Sequence, residues 1–367
     1  MAEPFALDMA LRSKIRVDRA VKLKLFKLKP AFVPPLHEPA LLYEFENNPA
    51  PEGIAAFSLK TRDDKRIRYA RLKTSVSPCK GTIAVFAGRN ECIEKYYETI
   101  GDFARAAFDV VVFDWRGQGD SEHLIPDRHK GYVRKFSDYR LDVEAIFDQV
   151  VLPECRPPFF VVAHSMGCLI ALDAAPLLKS RVDRMVLCGP FLGIRKQPFS
   201  TSAAWWVSRG LIAIGLGRMY FGGGPRVRQP FETNKVTNDA VRYDRNQGLY
   251  DRHPHLSLGG PTARWVNTSI SAVRKLSRRG DSLAYRIPAL VLIAAKDQVV
   301  PRDAIDDAVR FLPAAHSIII ENAAHEMLQD SNVIREQALA AIFAFLPGSG
   351  PAGLRVGAST SADHFAQ

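Results

Sequence analysis

Three residues far apart in this chain are of the kinds that together let a hydroxyl attack an acyl carbonyl: Ser165, Asp297 and His325. A serine is a weak nucleophile until a base takes its proton, and the base works best when an acid fixes its tautomer and offsets its developing charge. Ser165 follows the apolar run Phe159-Phe160-Val161-Val162-Ala163-His164, and small residues, Ala163 and Gly167, stand two places to either side of it. That pattern suits a sharp strand-to-helix turn that holds the side chain clear of the fold. A Ser-x-Gly tripeptide arises by chance about once in a chain of this length. Ser208-Arg209-Gly210 and Ser257-Leu258-Gly259 also match, but neither follows a strand pattern, and each puts a large residue, Trp206 or His255, where a small one is needed.

Asp297 comes directly after the apolar run Leu290 to Ala295, and His325 falls in the loop after Ile318 to Ile320. Alone, each has an ordinary reading, an acid in a strand-to-helix turn and a solvent-facing loop histidine. Their shared position past strand ends, in the order Ser, Asp, His, sets them apart. His164, locked beside the serine, and His316, placed before a strand, are weaker bases; Asp303, Asp306 and Asp307 fall on a helix facing away. An attacked carbonyl becomes an oxyanion that needs two fixed N–H donors. The backbone of Met166, opening the helix after the serine, is one candidate, and that of Arg89, in the loop after the run Thr82 to Ala87, is the other.

The elements that would position these groups show in the hydrophobic pattern. Residues 54 to 60 and 65 to 73 alternate as a hairpin around Asp63-Asp64. Strand-like runs at Thr82 to Ala87, Val110 to Phe113, Phe159 to Ala163, Met185 to Cys188, Leu290 to Ala294 and Ile318 to Ile320 alternate mostly with helical patterns, such as Ile93, Tyr96, Ile100, Phe103, Ala107 and Phe136, Val143, Phe147, Val150. Strands apolar on both faces imply an α/β fold with a mostly parallel sheet flanked by helices, its chemistry outside the carboxyl ends of the strands. The interval 191–285, with Trp205-Trp206, a Gly-rich apolar stretch and several prolines, interrupts the alternation and reads as an inserted, mainly helical cap. The expected organisation is therefore a basic leader and Pro-rich linker at 1–52, with little regular structure over 30–52, then core at 53–190, cap at 191–285, core again at 286–346 and a disordered tail at 347–367.

Composition bounds the remaining possibilities. With 367 residues, 47% of them hydrophobic, the chain can bury a large core, and no apolar run is long enough for a membrane span. Met1 to Leu11 lacks a signal-peptide layout, so a cytoplasmic location is expected. The five cysteines, Cys79, Cys92, Cys155, Cys168 and Cys188, are scattered and form no Cys-x-x-Cys pair, so reduced thiols are expected and neither a metal nor any other cofactor is assigned. The net charge of +11 is concentrated in residues 11–29, where eight Lys or Arg alternate with apolar residues against one acid, Asp18. Such a segment suits peripheral contact with an anionic membrane surface. No nucleic-acid recognition motif accompanies the charge, and no nucleic acid is assigned as a partner.

These residues resemble the α/β-hydrolase superfamily, and within it the lysophospholipase L2 and monoacylglycerol lipase group. The resemblance rests on the three motifs above, on Gly88-Arg89-Asn90-Glu91, Lys95-Tyr96 and Val112 to Ser121, and in the cap on Asn234 to Asp239 and Gly259 to Trp265; it spans about residues 41 to 346. It implies a single-chain lipid ester as substrate, a lysophospholipid or a monoacylglycerol, cleaved through an acyl-enzyme. Two departures concern geometry only: Ala87-Gly88 replaces the group's His-Gly, and Ala163 replaces the first elbow glycine. Trp205, Trp206 and Arg209, with Leu211, Ile212, Ile214 and Leu216, are expected substrate contacts in the cap, and Arg209, Arg218, Arg226 and Arg228 could attract a phosphate. An acyltransferase or a broad carboxylesterase would use the same triad. An aminopeptidase would need cap acids to bind an amine, whereas Arg195 to Arg228 is almost free of acids. A non-catalytic lipid-binding protein should have lost a triad member.

Overall fold

The central strands are apolar on both sides because helices cover both sides. In the computed structural model, which describes residues 37–193, 200–278, 286–310 and 312–346, Val85, Val112, Val162, Val186 and Leu292 face one layer, while Phe86, Phe113, Val161, Leu187 and Val291 face the other. Each fully buried side chain of this size contributes about 1.5–3 kcal/mol. The strands are β1 (Glu38–Pro39), β2 (Ala55–Lys60), β3 (Arg66–Leu72), β4 (Thr82–Phe86), β5 (Asp109–Phe113), β6 (Phe159–His164), β7 (Arg184–Cys188), β8 (Ala289–Ala294) and β9 (Ala315–Ile320). They form one sheet in the order β1-β2-β3-β5-β4-β6-β7-β8-β9. The first three pairings are antiparallel; from β5 to β9 neighbouring strands are parallel.

Helices α1 (Tyr97–Arg105) and α10 (Asn332–Phe345) cover one face through Ile100, Phe103, Ala338 and Ile342. The other face carries α2 (Tyr139–Ile146), α3 (Leu152–Glu154), α4 (Met166–Asp173), α5 (Ala175–Leu178) and α9 (Arg302–Val309), with Val143, Leu169, Leu178 and Ile305 in its core. Between β7 and β8 lie α6 (Thr201–Ala213), α7 (Ala240–Arg252) and α8 (Ala263–Arg278). Asp239 caps α7 by accepting the Arg242 N–H at 2.8 Å, and Ser200 caps α6 through the Ala203 N–H. No helix among the described residues is long and apolar enough to cross a membrane.

Three expectations change. The stretch read as having little regular structure contributes β1, a two-residue strand paired with Phe57 and Ser58. The last strand starts three residues early, so His316 lies inside β9 rather than before it; Ala315, His316 and Ser317 escape the apolar pattern because β9 is a sheet edge with an exposed middle. Two of the arginines read as able to attract a phosphate already have acid partners. Arg226 pairs with Asp251 at 2.9 Å, and Arg228 pairs with Asp251 and Asp244, acids of α7 beyond the interval considered from sequence. The basic segment 11–29 and the tail 347–367 lie outside the described residues.

Candidate active site

Ser165 sits between β6 and α4 with φ 49° and ψ −111°, a conformation that non-glycine residues seldom adopt. The strain is held by the fold. The Ser165 N–H donates to the Cys188 carbonyl at 3.0 Å, and its own carbonyl accepts the N–H groups of Cys168 and Phe191 at 3.1 Å each. Gly167 explains why a residue without a side chain follows so closely: a Cβ there would stand 2.1 Å from the Phe86 carbonyl oxygen and 2.7 Å from that of Ala87. The start of α4 therefore lies directly against the carboxyl end of β4.

The Ser165 hydroxyl lies 2.9 Å from His325 Nε2, positioned to donate to it, and His325 Nδ1–H donates to Asp297 Oδ2 at 2.7 Å. The other oxygen of Asp297 accepts the Val299 and Val300 N–H groups at 2.7 and 2.9 Å. Burial pushes this carboxyl up, but the His325 hydrogen bond and charge, with the two backbone donors, outweigh it and hold Asp297 below its ordinary value. Asp297 is thus an ionised, aimed acceptor, and the imidazole keeps the tautomer that leaves Nε2 free to take a proton.

The loop after β4 has its polar groups assigned one by one. Trp115 Nε1–H donates to the Ala87 carbonyl at 2.8 Å, the Gly88 N–H to Glu91, and the Asn90 N–H to Gln118 Oε1 at 2.6 Å. Among the described residues the N–H of Arg89 has no acceptor, nor has that of Met166 at the first position of α4. A developing oxyanion requires two such unfilled backbone donors.

Behind these groups lies a buried charge network that inspection of the sequence did not identify. His164, set aside as a base, donates Nδ1–H to Glu91 at 3.2 Å and Nε2–H to the His325 carbonyl at 3.3 Å. Lys95 bridges Glu91 at 2.9 Å and Glu326 at 2.7 Å. Burial opposes the charge of Glu91, yet Lys95 and His164 hold its carboxyl well below the usual range. Burial likewise opposes a charged His164, and the charge and hydrogen bond of Glu91, helped by Glu326, raise it instead. Glu91 thereby ties the Gly88 N–H to the residue that supports His325. The only trace in the sequence was that Gly88 to Glu91 and Lys95-Tyr96 belong to the resemblance.

The residues expected as cap contacts have neighbours of their own. Trp205 donates its indole N–H to Ser271 at 2.8 Å, with Arg209 and Arg274 over its ring at 5.2 and 4.8 Å. Trp206 stands edge-on to Trp205 and is 65% exposed. Trp205, Trp206 and Arg209 all stand on α6, where Trp205 meets Ser271 and Arg274 of α8. Nearer the serine, Phe191 packs on Trp265, whose ring lies under the Arg89 guanidinium at 5.3 Å.

Residues 77–332 match a hydrolase family described as serine aminopeptidase, S33. The chain is 31% identical over 299 residues to lysophospholipase L2 of Escherichia coli strain K12, covering 77% of this chain and 84% of that protein. It is 30% identical over 283 residues to the probable lysophospholipase L2 of Haemophilus influenzae, covering 77% and 88%. Among solved structures, a soluble variant of monoglyceride lipase from Saccharomyces cerevisiae superposes with a TM-score of 0.65 at 14% identity, over 85% of this chain and all of that one, a likeness of fold.

Proposed function

The chain belongs to the α/β-hydrolases, in the serine aminopeptidase S33 family and its lysophospholipase and monoacylglycerol lipase group, and from that premise we propose that Ser165, His325 and Asp297 are its catalytic triad. It is a carboxylic ester hydrolase of lysophospholipase-like type acting on lipid esters. Ser165 Oγ bonds to the ester carbonyl carbon as His325 Nε2 takes its proton. The negative oxygen is held by the N–H groups of Met166 and Arg89. As the tetrahedral adduct collapses, the ester C–O bond breaks and His325 passes the proton to the leaving alkoxide. Water, deprotonated by His325, then releases the acid from the acyl-enzyme. The observation that carries this reading is the unbroken contact from Ser165 through His325 to Asp297 at 2.9 and 2.7 Å.

The substrate proposed is a single-chain lipid ester, a lysophospholipid or a monoacylglycerol, in keeping with the names of the relatives. The aminopeptidase description fits the site less well. Recognition of an ammonium group needs a free carboxylate, whereas Glu91 and Glu326 are committed to Lys95 and His164. In organisation, residues 53–190 and 286–346 would form the catalytic core, 191–285 the cap, and 1–52 and 347–367 the appended ends. Residues 11–29 would make peripheral contact with anionic membranes from the cytoplasmic side, which co-sedimentation with anionic against zwitterionic vesicles tests.

Labelling by a fluorophosphonate probe is the direct test of the nucleophile. Wild type should label and Ser165→Ala should not; persistent labelling of the variant removes the proposal. Hydrolysis rates across lysophospholipids, monoacylglycerols and short p-nitrophenyl esters, with and without an acceptor alcohol, then separate a lipid hydrolase from a broad esterase or an acyltransferase.

A further inference from the structure

Buried arginines elsewhere in this protein are neutralised. Arg68, fully buried, contacts Glu94 and Asp114 at 2.7 and 2.6 Å, and Arg116 contacts Asp142 and Asp63 at 2.7 and 2.8 Å. This is the usual arrangement, because an isolated charge taken out of water is costly. Arg89, half-buried, is not neutralised in this way. Its backbone belongs to the loop after β4, and its side chain crosses to the cap, where Nη2–H donates to the Gly259 carbonyl and the guanidinium lies over Trp265. Among the described residues no carboxylate pairs with it, and its Nε–H is buried without an acceptor. Burial pushes this guanidinium down to about 10, opposed by the nearby Tyr139 and Tyr220, so it stays charged at neutral pH. Of the five N–H donors an arginine offers, a single one is matched by a protein acceptor among the described residues.

We propose that Arg89 is the headgroup-recognition residue of the substrate site, its guanidinium taking the phosphodiester of a lysophospholipid whose ester lies at Ser165. The assignment rests on the triad reading above. Spans agree. Five covalent bonds separate the Arg89 Cα from its guanidinium carbon, and six separate the acyl carbon of a 1-acyl lysophospholipid from its phosphorus, each about 6–8 Å when extended. An ester whose oxyanion sat on the Arg89 N–H would then extend its phosphate about as far as the same residue's guanidinium extends from its backbone. Guanidinium suits the task, since its planar fork meets two phosphate oxygens at once and it sheds water more readily than an ammonium. The role expected of the cap arginines shifts accordingly, because Arg226 and Arg228 are already occupied by Asp244 and Asp251.

The test uses the full chain, with Arg89→Gln and Arg89→Lys beside wild type. kcat/KM is measured on a lysophosphatidylcholine and a monoacylglycerol of the same acyl length. Since the Arg89 backbone serves both substrates, the readout is their ratio. Arg89→Gln should lower the ratio of lysophospholipid to monoacylglycerol at least tenfold, with Arg89→Lys recovering part of it. A ratio within twofold of wild type, whether rates hold or fall together, makes Arg89 a clamp between loop and cap and overturns the proposal. Inorganic phosphate and glycerophosphocholine, added as inhibitors, separate the sources of the anion. Inhibition of wild type by both, weakened in Arg89→Gln, supports headgroup binding, whereas inhibition by phosphate alone with an unchanged ratio indicates a free-anion site and also overturns it. Fluorophosphonate labelling of each variant keeps the two readings apart: loss of the ratio effect with Ser165 still labelled refutes Arg89 alone, and labelling that survives Ser165→Ala refutes the triad beneath it.

Discussion

Adding one methyl group at Gly167 should cost more activity than its size suggests. The methyl of Gly167→Ala would stand 2.1 Å from the Phe86 carbonyl oxygen and 2.7 Å from that of Ala87, where side-chain carbons essentially never come within 3.0 Å. Both obstacles are backbone at the end of β4, which is held on either side by β5 and β6. The strand cannot retreat, so the start of α4 must move by about 1 Å. It would carry the Met166 N–H away from the Arg89 N–H, and displacement on that scale costs about 100-fold in rate. Overpacking adds about 1–3 kcal/mol of destabilisation. The assay is kcat on a soluble p-nitrophenyl ester together with the rate of fluorophosphonate labelling, read beside thermal unfolding. Gly210→Ala is the control, since nothing lies within 4 Å of a Cβ there and it sits inside α6. Activity of that variant should equal wild type, with stability unchanged or raised by about 0.5–1 kcal/mol. If Gly167→Ala turns over within threefold of wild type, α4 and β4 are not set by this contact and the argument for the oxyanion site fails.

Asp297→Asn should leave the fold intact, because the Val299 and Val300 N–H groups keep an acceptor. It should lower kcat about 10³–10⁴-fold, since His325 loses its orienting charge; a loss below tenfold would mean His325 is held by something else. A second expectation concerns pH. The folded value of His164 is raised, so the stability from its protonated contact with Glu91 is fully present below its ordinary 6.5 and fades as pH rises through the folded value. The unfolding midpoint of wild type should therefore decline above pH 6.5 more steeply than that of His164→Gln, with Glu91, Lys95 and Glu326 facing the group unchanged. Parallel profiles would show that His164 is not charged in the folded protein. Glu91→Ala, which leaves Lys95 and His164 short of a counter-charge, should destabilise by about 3–5 kcal/mol in urea unfolding.

What could be read from the sequence was local. The runs that became β4 to β8 announce themselves because burial on both faces leaves few polar positions; the Ser165 and Asp297 motifs each consist of such a run and its next few residues, whereas the His325 motif follows the apolar end of the edge strand β9. Relations across the fold left no such mark. The His164 and Glu91 contact joins residues 73 apart, and the placement of β5 between β3 and β4 depends on which edges remain open once the hairpin has formed. The cap arginines illustrate the same limit, since Arg228 finds Asp244 and Asp251 one helix later. At Arg89 the sequence pointed to the backbone N–H, but that no acid among the described residues pairs with the side chain is a property of everything folded around it.

The path of the chain also sets when reactivity appears. Ser165 and His325 are 160 residues apart, with the cap and both last strands between them. At about 5–20 residues per second, a ribosome needs about 8–32 s to proceed from one to the other. For all that time the nascent polypeptide displays a serine with no proton acceptor, inert toward the lipids around it. Activity is switched on only after β8 and β9 have been made, so recovered turnover after denaturation reports closure of the last parallel pairing and not merely collapse of the core.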